Sequence, residues 1–326
     1  MKEMMLKAFL IVQLIILYSC TGSMKKVEID EITGTIKILH AGSLSMPMKV
    51  IADSFMLHYP KVKVLLEASG SVDGARKISE LNRNFDIFAS ADYLVIDRLL
   101  IPSHAKWNLI FAGNEMVVAY TPASKESNSI DSLNWFDIIE KKDIFYGRSD
   151  PDSDPCGYRT LLTLNLAEEY YGKSGLAKNI LEKDVRFIRP KEVDLLALLQ
   201  TQAIDYIFIY RSIAIQHKLK YVELPKSINL GYPGYAENYK RAKVYIRGSS
   251  PKTTIEIVGE PMAYSFTIPT NAENYDLAIL FANFMTDKKL GLSILESMGM
   301  AIFEPRLSPL TEEKPDLLIL NTLPSH

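Results

Sequence analysis

Cysteine is scarce in this chain: of its 326 residues only Cys20 and Cys156 are cysteines, so no internal disulfide framework holds it together. Histidine occurs five times; the five are scattered, without a His-x-x-x-His pair or a Cys/His cluster, and a zinc site is not encoded. Also missing are the phosphate-cradling GxxxxGK[ST] loop, the dinucleotide GxGxxG turn and the glycine-flanked nucleophile elbow of hydrolases. Neither sign of charge dominates. A formal net charge of -2 removes the long-range attraction that a nucleic-acid partner demands, and any anion must be held by local dipoles and hydrogen-bond donors. No segment after the N-terminus is apolar for long enough to span a bilayer.

What is present begins with a leader. Met1 to Lys7 carries two lysines, Ala8 to Leu17 is apolar, and Leu17-Tyr18-Ser19-Cys20 precedes a polar stretch, the layout of a secretion signal. The cysteine at its end is similar to the lipobox of bacterial lipoproteins, which implies a lipid on Cys20, residues 1–20 as signal peptide and 21–34 as a tether to the membrane. A simple signal cleaved near Ser19 is the alternative, and Tyr18 is untypical of a lipobox.

From Thr35 onward strand, small-residue loop and helix alternate. Ile36 to Leu39, Val62 to Ala68 and Phe85 to Ala89 have strand patterns, Pro47 to Tyr59 and Asp73 to Leu81 helical ones, and Ala41-Gly42-Ser43 and Ser69-Gly70-Ser71 fill the loops. This is an α/β chain in which ligands collect beyond the carboxyl ends of the strands. Composition, 48% hydrophobic and 23% charged, suits a globular protein large enough for two domains. Asn114 to Thr121 and Glu260 to Pro269 are β-rich stretches with a full set of elements between them. They are expected to cross between two lobes, 35–115 plus 262–310 and 116–261, and to serve as the hinge. Ala272 to Glu296 is expected to form one or two amphipathic helices, and the proline-rich chain from Ser308, with 311–326 as a tail, to be loose.

The richest segment is Ser149 to Arg159, SDPDSDPCGYR. Its prolines, aspartates and serines oppose regular structure up to Pro155, whereas Tyr158 to Tyr171 has helical spacing. Amides around Cys156 then emerge from a helix N-terminus, where an anion is favoured. Asp154 is open to two readings, the N-cap of that helix or a ligand-binding carboxylate. Ser43 and Ser71 stand at equivalent places in two units, each after a glycine; either could simply cap a helix, and together they could converge on one anion. Ser43 with His40 as base would instead make a secreted serine hydrolase, although His40 at a strand end is more often structural.

Taken together, HAGSLS at 40–45, EASGSV at 67–72, ASADY at 89–93, the stretch 114–121, SDPDSDPCGYR and YRSIAIQHKLKYVEL at 210–224 resemble the tungstate/molybdate-binding protein of ABC importers, the branch common in archaea. The resemblance runs through most of the chain after the leader, and Asp-Pro-Cys-Gly-Tyr-Arg is its most specific element. It implies a two-lobed periplasmic-binding-protein fold of type II, each lobe a mixed sheet flanked by helices, with the ligand in the cleft. It further implies oxyanion contacts from Ser43, Ser71, Cys156 and Tyr210, direct bonds from Asp154 and Glu192 to the metal atom of tungstate or molybdate, an ABC permease with its ATPase as partner, and an extracytoplasmic, lipid-anchored monomer with no enzymatic activity. The segment between Asp184 and Lys191 is shorter than in the family, which leaves Asp194 or a solvated-face glutamate as alternatives to Glu192. A phosphate or sulfate receptor of the same fold is the rival ligand assignment.

Overall fold

The computed structural model describes residues 32–248 and 252–317; the leader, Cys20, the tether up to Glu31 and the tail beyond Leu317 lie outside the described residues. The chain starts with β1 (Gly34–Ala41), followed through a 3-10 turn (Gly42–Leu44) by α1 (Ser45–His58), then β2 (Val62–Ser69), α2 (Ser71–Ser79), β3 (Ile87–Ser90), α3 (Tyr93–Leu99) and β4 (Leu109–Gly113). It passes through Asn114 and Glu115 into β5 (Met116–Tyr120), α4 (Trp135–Glu140), β6 (Tyr146–Ser149), α5 (Pro155–Tyr170), α6 (Leu176–Glu182), β7 (Ile188–Arg189), α7 (Leu195–Gln200), β8 (Tyr206–Tyr210), α8 (Arg211–Gln216) and β9 (Lys220–Glu223). After α9 (Ala236–Tyr239), the hairpin of β10 (Lys243–Arg247) and β11 (Thr254–Val258) leads back into β12 (Tyr264–Thr267), α10 (Tyr275–Thr286), α11 (Gly291–Ser297) and β13 (Ala301–Leu307).

Two mixed sheets result. The first has the order β13-β4-β12-β3-β1-β2 and the second β7-β6-β8-β5-β9. In the first, β1 is parallel to β2 and β3 while β12 runs antiparallel between β3 and β4; in the second, β6 is parallel to β7 and β8 while β5 is antiparallel to β8 and β9. The central strands β3 (IFAS), β5 (MVVAY) and β8 (YIFIY) are buried at every position; helices cover both faces, which is why these strands are continuous apolar runs and not alternating ones. On α1 the buried Met48, Ile51, Ala52 and Phe55 form one stripe at helical spacing. Phe55 meets Phe281 and Phe284 of α10 edge-on at 5.0 and 5.4 Å.

Several expectations shift. The helix after the acidic loop begins at Pro155, where a missing N–H costs nothing, three residues before the apolar pattern at Tyr158 and with Asp154 at its N-cap position. The second helix begins at Ser71, two residues before the pattern suggested. The chain from Ser308 is not loose as far as Leu317: Ser308 Oγ donates to Asp97 Oδ1 at 2.6 Å, Glu312 N donates to the Lys106 carbonyl at 2.8 Å, and Leu317 is fully buried.

Candidate functional site

Every residue expected in the site sits just beyond the carboxyl end of a strand. Ser43 follows β1, Ser71 follows β2, the loop to Asp154 and Cys156 follows β6, Glu192 follows β7, and Tyr210 closes β8. The fold therefore delivers them to one crevice between the two sheets.

Asp154 occupies the N-cap position of α5 with extended backbone (φ -144°, ψ 133°), yet its side chain makes no cap bond. It is 1% exposed and its Oδ2 has no hydrogen-bond partner. Glu192 opens a 3-10 turn (Glu192–Asp194), is fully buried, and has no partner for either carboxylate oxygen. Burial pushes the Asp154 carboxyl well above the ordinary range, and the adjacent Glu192 carboxylate pushes it further. Burial likewise raises Glu192, while the neighbouring Asp154 carboxyl and the Ser43 hydroxyl and N–H, close to it but short of full hydrogen-bond geometry, act in the opposite sense. Two dry carboxyls thus lie side by side beyond adjacent strands of the second sheet, an arrangement costing several kcal/mol unless a proton or a ligand compensates it. Asp194 lies elsewhere, paired at 3.6 Å with Lys191 and partly exposed. Among the described residues no group of three or more His, Cys, Asp and Glu side chains converges on a common point.

The hydroxyls around the carboxyls are buried and held. Ser43 Oγ accepts from Tyr264 Oη at 3.0 Å, Ser71 Oγ from the Ala91 N–H at 3.0 Å, and Tyr210 Oη from Arg159 Nη1 at 3.0 Å. Neither serine caps a helix through its side chain. Cys156 is buried, its Sγ 3.7 Å from the Phe208 carbonyl, and burial together with Asp154 and Glu192 pushes its thiol well up; a neutral thiol in this position leaves the backbone amide as what Cys156 can offer an anion. His40 bonds through Nδ1 to the Ala41 carbonyl at 2.8 Å, and burial lowers its pKa. Ser43 meets Tyr264 and Glu192 while His40 bonds the Ala41 carbonyl, so the Ser43–His40 pair of a hydrolase is not assembled.

The crevice is shut. A Cβ on Gly70 would come within 2.3 Å of the Ser153 carbonyl oxygen, and one on Gly42 within 3.1 Å of Glu192 Oε2. Both glycines give way to groups from the opposite sheet; at Gly70 the approach is to backbone and any side chain would block it, whereas at Gly42 it is to the Glu192 and Val193 side chains, which would have to shift. Asp73 N donates to the Ser153 carbonyl at 3.2 Å. Arg76 of α2 reaches across to the carbonyls of Asp152 at 2.6 Å and Arg247 at 2.8 Å. In return Arg159 of α5 pairs with Asp92 at 3.1 Å and donates to the Ala91 carbonyl at 2.8 Å, while Tyr158 Oη donates to the same Asp92 carboxylate at 2.6 Å. Sequence reasoning assigned no role to Asp92, Tyr158, Arg159 or Tyr264. The first three lie inside quoted motifs and could have been noticed there, whereas Tyr264 is 221 residues from its partner Ser43, and no local pattern signals that contact.

Residues 36–301 match the family model described as bacterial extracellular solute-binding protein. The chain belongs to this family. Within it, the chain is 44% identical over 277 residues to an uncharacterized solute-binding protein of Petrotoga mobilis, covering 85% of this chain and 86% of that one. It is 36% identical over 301 residues to the molybdate/tungstate-binding protein WtpA of Pyrococcus abyssi, covering 84% and 86%. Among solved structures the Azotobacter vinelandii periplasmic molybdate-binding protein superposes with a TM-score of 0.59 at 15% identity, over 82% of this chain and 98% of that one; this likeness establishes the periplasmic-binding-protein fold expected from the sequence. No helix among the described residues is long and apolar enough to cross a membrane.

Proposed function

We propose that this solute-binding protein captures molybdate or tungstate and presents it to an ABC permease and its ATPase. The observation that carries this reading is the pair Asp154 and Glu192, with three carboxylate oxygens lacking partners inside a closed crevice otherwise lined by hydroxyl donors. A carboxylate held against an oxyanion is repulsive by about 4 kcal/mol at 4 Å even at an effective dielectric constant of about 20. Two circumstances reverse the sign: the ligand carries a proton that the carboxylate accepts, or its central atom accepts the carboxylate oxygen as an additional ligand. Sulfate offers neither. Molybdenum and tungsten expand their coordination, and the resemblance to the Pyrococcus relative supports them as the cargo. Ser43, Ser71, Tyr210 and the Cys156 amide then hold the oxyanion oxygens, while Asp154 and Glu192 bond the metal atom. No chemical step is assigned to the chain.

Hydrogen phosphate is the second reading, favoured by the raised titration of both carboxyls, which suits them to share a proton with a ligand. Elemental analysis of the purified protein, with competition calorimetry among molybdate, tungstate, phosphate and sulfate, decides: molybdate and tungstate binding with no competition from sulfate supports the proposal, and preferential phosphate binding replaces it. We further propose that 35–115 plus 262–310 and 116–261 move as rigid lobes about Asn114–Glu115 and Gly259–Ala263, and that Cys20 carries a lipid anchor. Cys20→Ala is expected to release a soluble protein of full binding capacity; membrane retention of that variant would remove the anchor.

A further inference from the structure

The three ligand-facing hydroxyls share a property that hydrogen-bond accounting brings out. A hydroxyl has one hydrogen to donate and lone pairs that accept, so a fixed donor on its oxygen sends its own hydrogen elsewhere. Arg159 can only donate, hence Tyr210 Oη can only accept from it. The Ala91 N–H can only donate, hence Ser71 accepts there.

Ser43 requires a longer chain, and the chain starts at the backbone. Asn114 Oδ1 accepts from the N–H groups of Glu115 at 3.0 Å and Ser212 at 3.3 Å, which fixes which end of the amide is oxygen. Its Nδ2 is thereby aimed at Ser212 Oγ at 2.7 Å and Tyr264 Oη at 3.3 Å. With Asn114 donating to it, Tyr264 donates its own hydrogen onward to Ser43 Oγ, and Ser43 is left to donate toward the carboxyls. Asn114, Ser212, Tyr264 and Ser43 are all at least nine-tenths buried, so water does not compete for these bonds.

We propose that Asn114 and Tyr264 form a polarity relay that directs the Ser43 hydrogen away from Tyr264 and into the crevice, and that they are specificity-determining positioning residues although neither belongs to the set expected to touch the ligand. With Ser71 and Tyr210 oriented by Ala91 and Arg159, the crevice has three hydroxyls whose hydrogens are free to donate, beside two carboxyls that accept. Such a site takes a ligand that is all acceptor around its oxygens and admits carboxylate only at its centre. The inference rests on the oxyanion reading above and names the residues that enforce it. It also ties the site to motion, because Asn114 lies in the segment that crosses between the sheets, so a rotation there changes the direction in which Ser43 donates.

A double-mutant cycle of Tyr264→Phe with Ser43→Ala, read by molybdate calorimetry, tests the relay. Tyr264→Phe keeps the ring and is expected to weaken binding about tenfold or more, with Ser43→Ala adding little on top, since both changes remove the same oriented donor. Full additivity, with each change costing as much in the double mutant as alone, overturns the relay and leaves the oxyanion reading standing. Absence of any tetraoxyanion binding by the unaltered protein overturns that reading and the relay with it. Asn114→Asp, of equal shape but with an acceptor where the amide donated, is the second variant. Its loss of affinity is expected to shrink in the Ser43→Ala background; a loss of the same size there would reflect the added charge alone and would contradict the relay.

Discussion

At the scale of single residues, Asp154 and Glu192 set function against stability. Replacing either with its amide, Asp154→Asn or Glu192→Gln, removes a buried charge or the proton needed to neutralise it, so the ligand-free protein is expected to melt at the same temperature or higher, while molybdate and tungstate affinity falls. A lower melting temperature with intact affinity would show the carboxyls to be structural. Ser43→Ala and Ser71→Ala are each expected to cost roughly 1 to 3 kcal/mol of binding with little change in fold stability, measured by calorimetry and thermal melting; unchanged affinity in both would place the ligand elsewhere. The residues of the proposed site that are legible in the sequence are those carried by contiguous strings: Ser43 in HAGS, Ser71 in SGS, Asp154 before Pro-Cys-Gly. Glu192 had no such string and was separable from Asp194 only by the burial that the fold imposes. The Asn114–Tyr264–Ser43 chain was not legible at all, since hydrogen-bond polarity depends on contacts between segments far apart in the chain.

At the scale of elements, the loops of the first sheet are matched in shape to those of the second. Gly70 has ordinary backbone angles (φ -59°, ψ 140°), so conformation does not require glycine there; the 2.3 Å approach of the Ser153 carbonyl does. Gly70→Ala is therefore expected to fold normally but to resist closure, with weaker binding and a ligand-saturated radius of gyration, from X-ray scattering, that stays at the ligand-free value. A normal contraction on ligand addition would refute this. Gly42 and Gly70, which precede Ser43 and Ser71, leave room for Glu192 and Ser153, contacts between distant segments that no local pattern signals. The alternation of strand, loop and helix was legible because continuous apolar runs and small-residue loops are local. α5 starts three residues ahead of the apolar pattern at Tyr158, at the position that reading Asp154 as an N-cap implies, because the proline that opposes helix upstream is welcome at the first helical position. In the returning segment, burial and then the nearby Asp92 carboxylate push Glu260 up from 4.5 to about 7, against Tyr93, Arg159 and Arg98. A carboxyl that titrates higher in the folded protein than in the unfolded chain stabilises the fold fully below its ordinary pKa, and that stabilisation is lost as pH rises through about 7. Glu260→Gln is expected to flatten the fall in melting temperature across this window; an unchanged pH profile would show that Glu260 does not set it.

At the scale of the whole molecule, the structure is a two-sheet body closed on itself. Closure is reciprocal: Arg76 extends from α2 of the first sheet to carbonyls beyond the second, and Arg159 extends from α5 to Asp92 and Ala91 beyond the first. On the proposed lobe motion, closing would desolvate Asp154 and Glu192 together, the two carboxyls would oppose these contacts until a ligand compensated them, and ligand would act by shifting the open-closed equilibrium in proportion to its preference for the closed form. A ligand that left the carboxyls unpaired would not hold the lobes shut. The coordination of the bound metal atom therefore bears on the account more directly than any affinity. X-ray absorption at the molybdenum or tungsten edge of the complex is expected to show six oxygen neighbours, four from the oxyanion and one each from Asp154 and Glu192, with the count falling toward four in the Asp154→Asn, Glu192→Gln double variant. Four oxygens in tetrahedral geometry around the metal in the unaltered complex would contradict it.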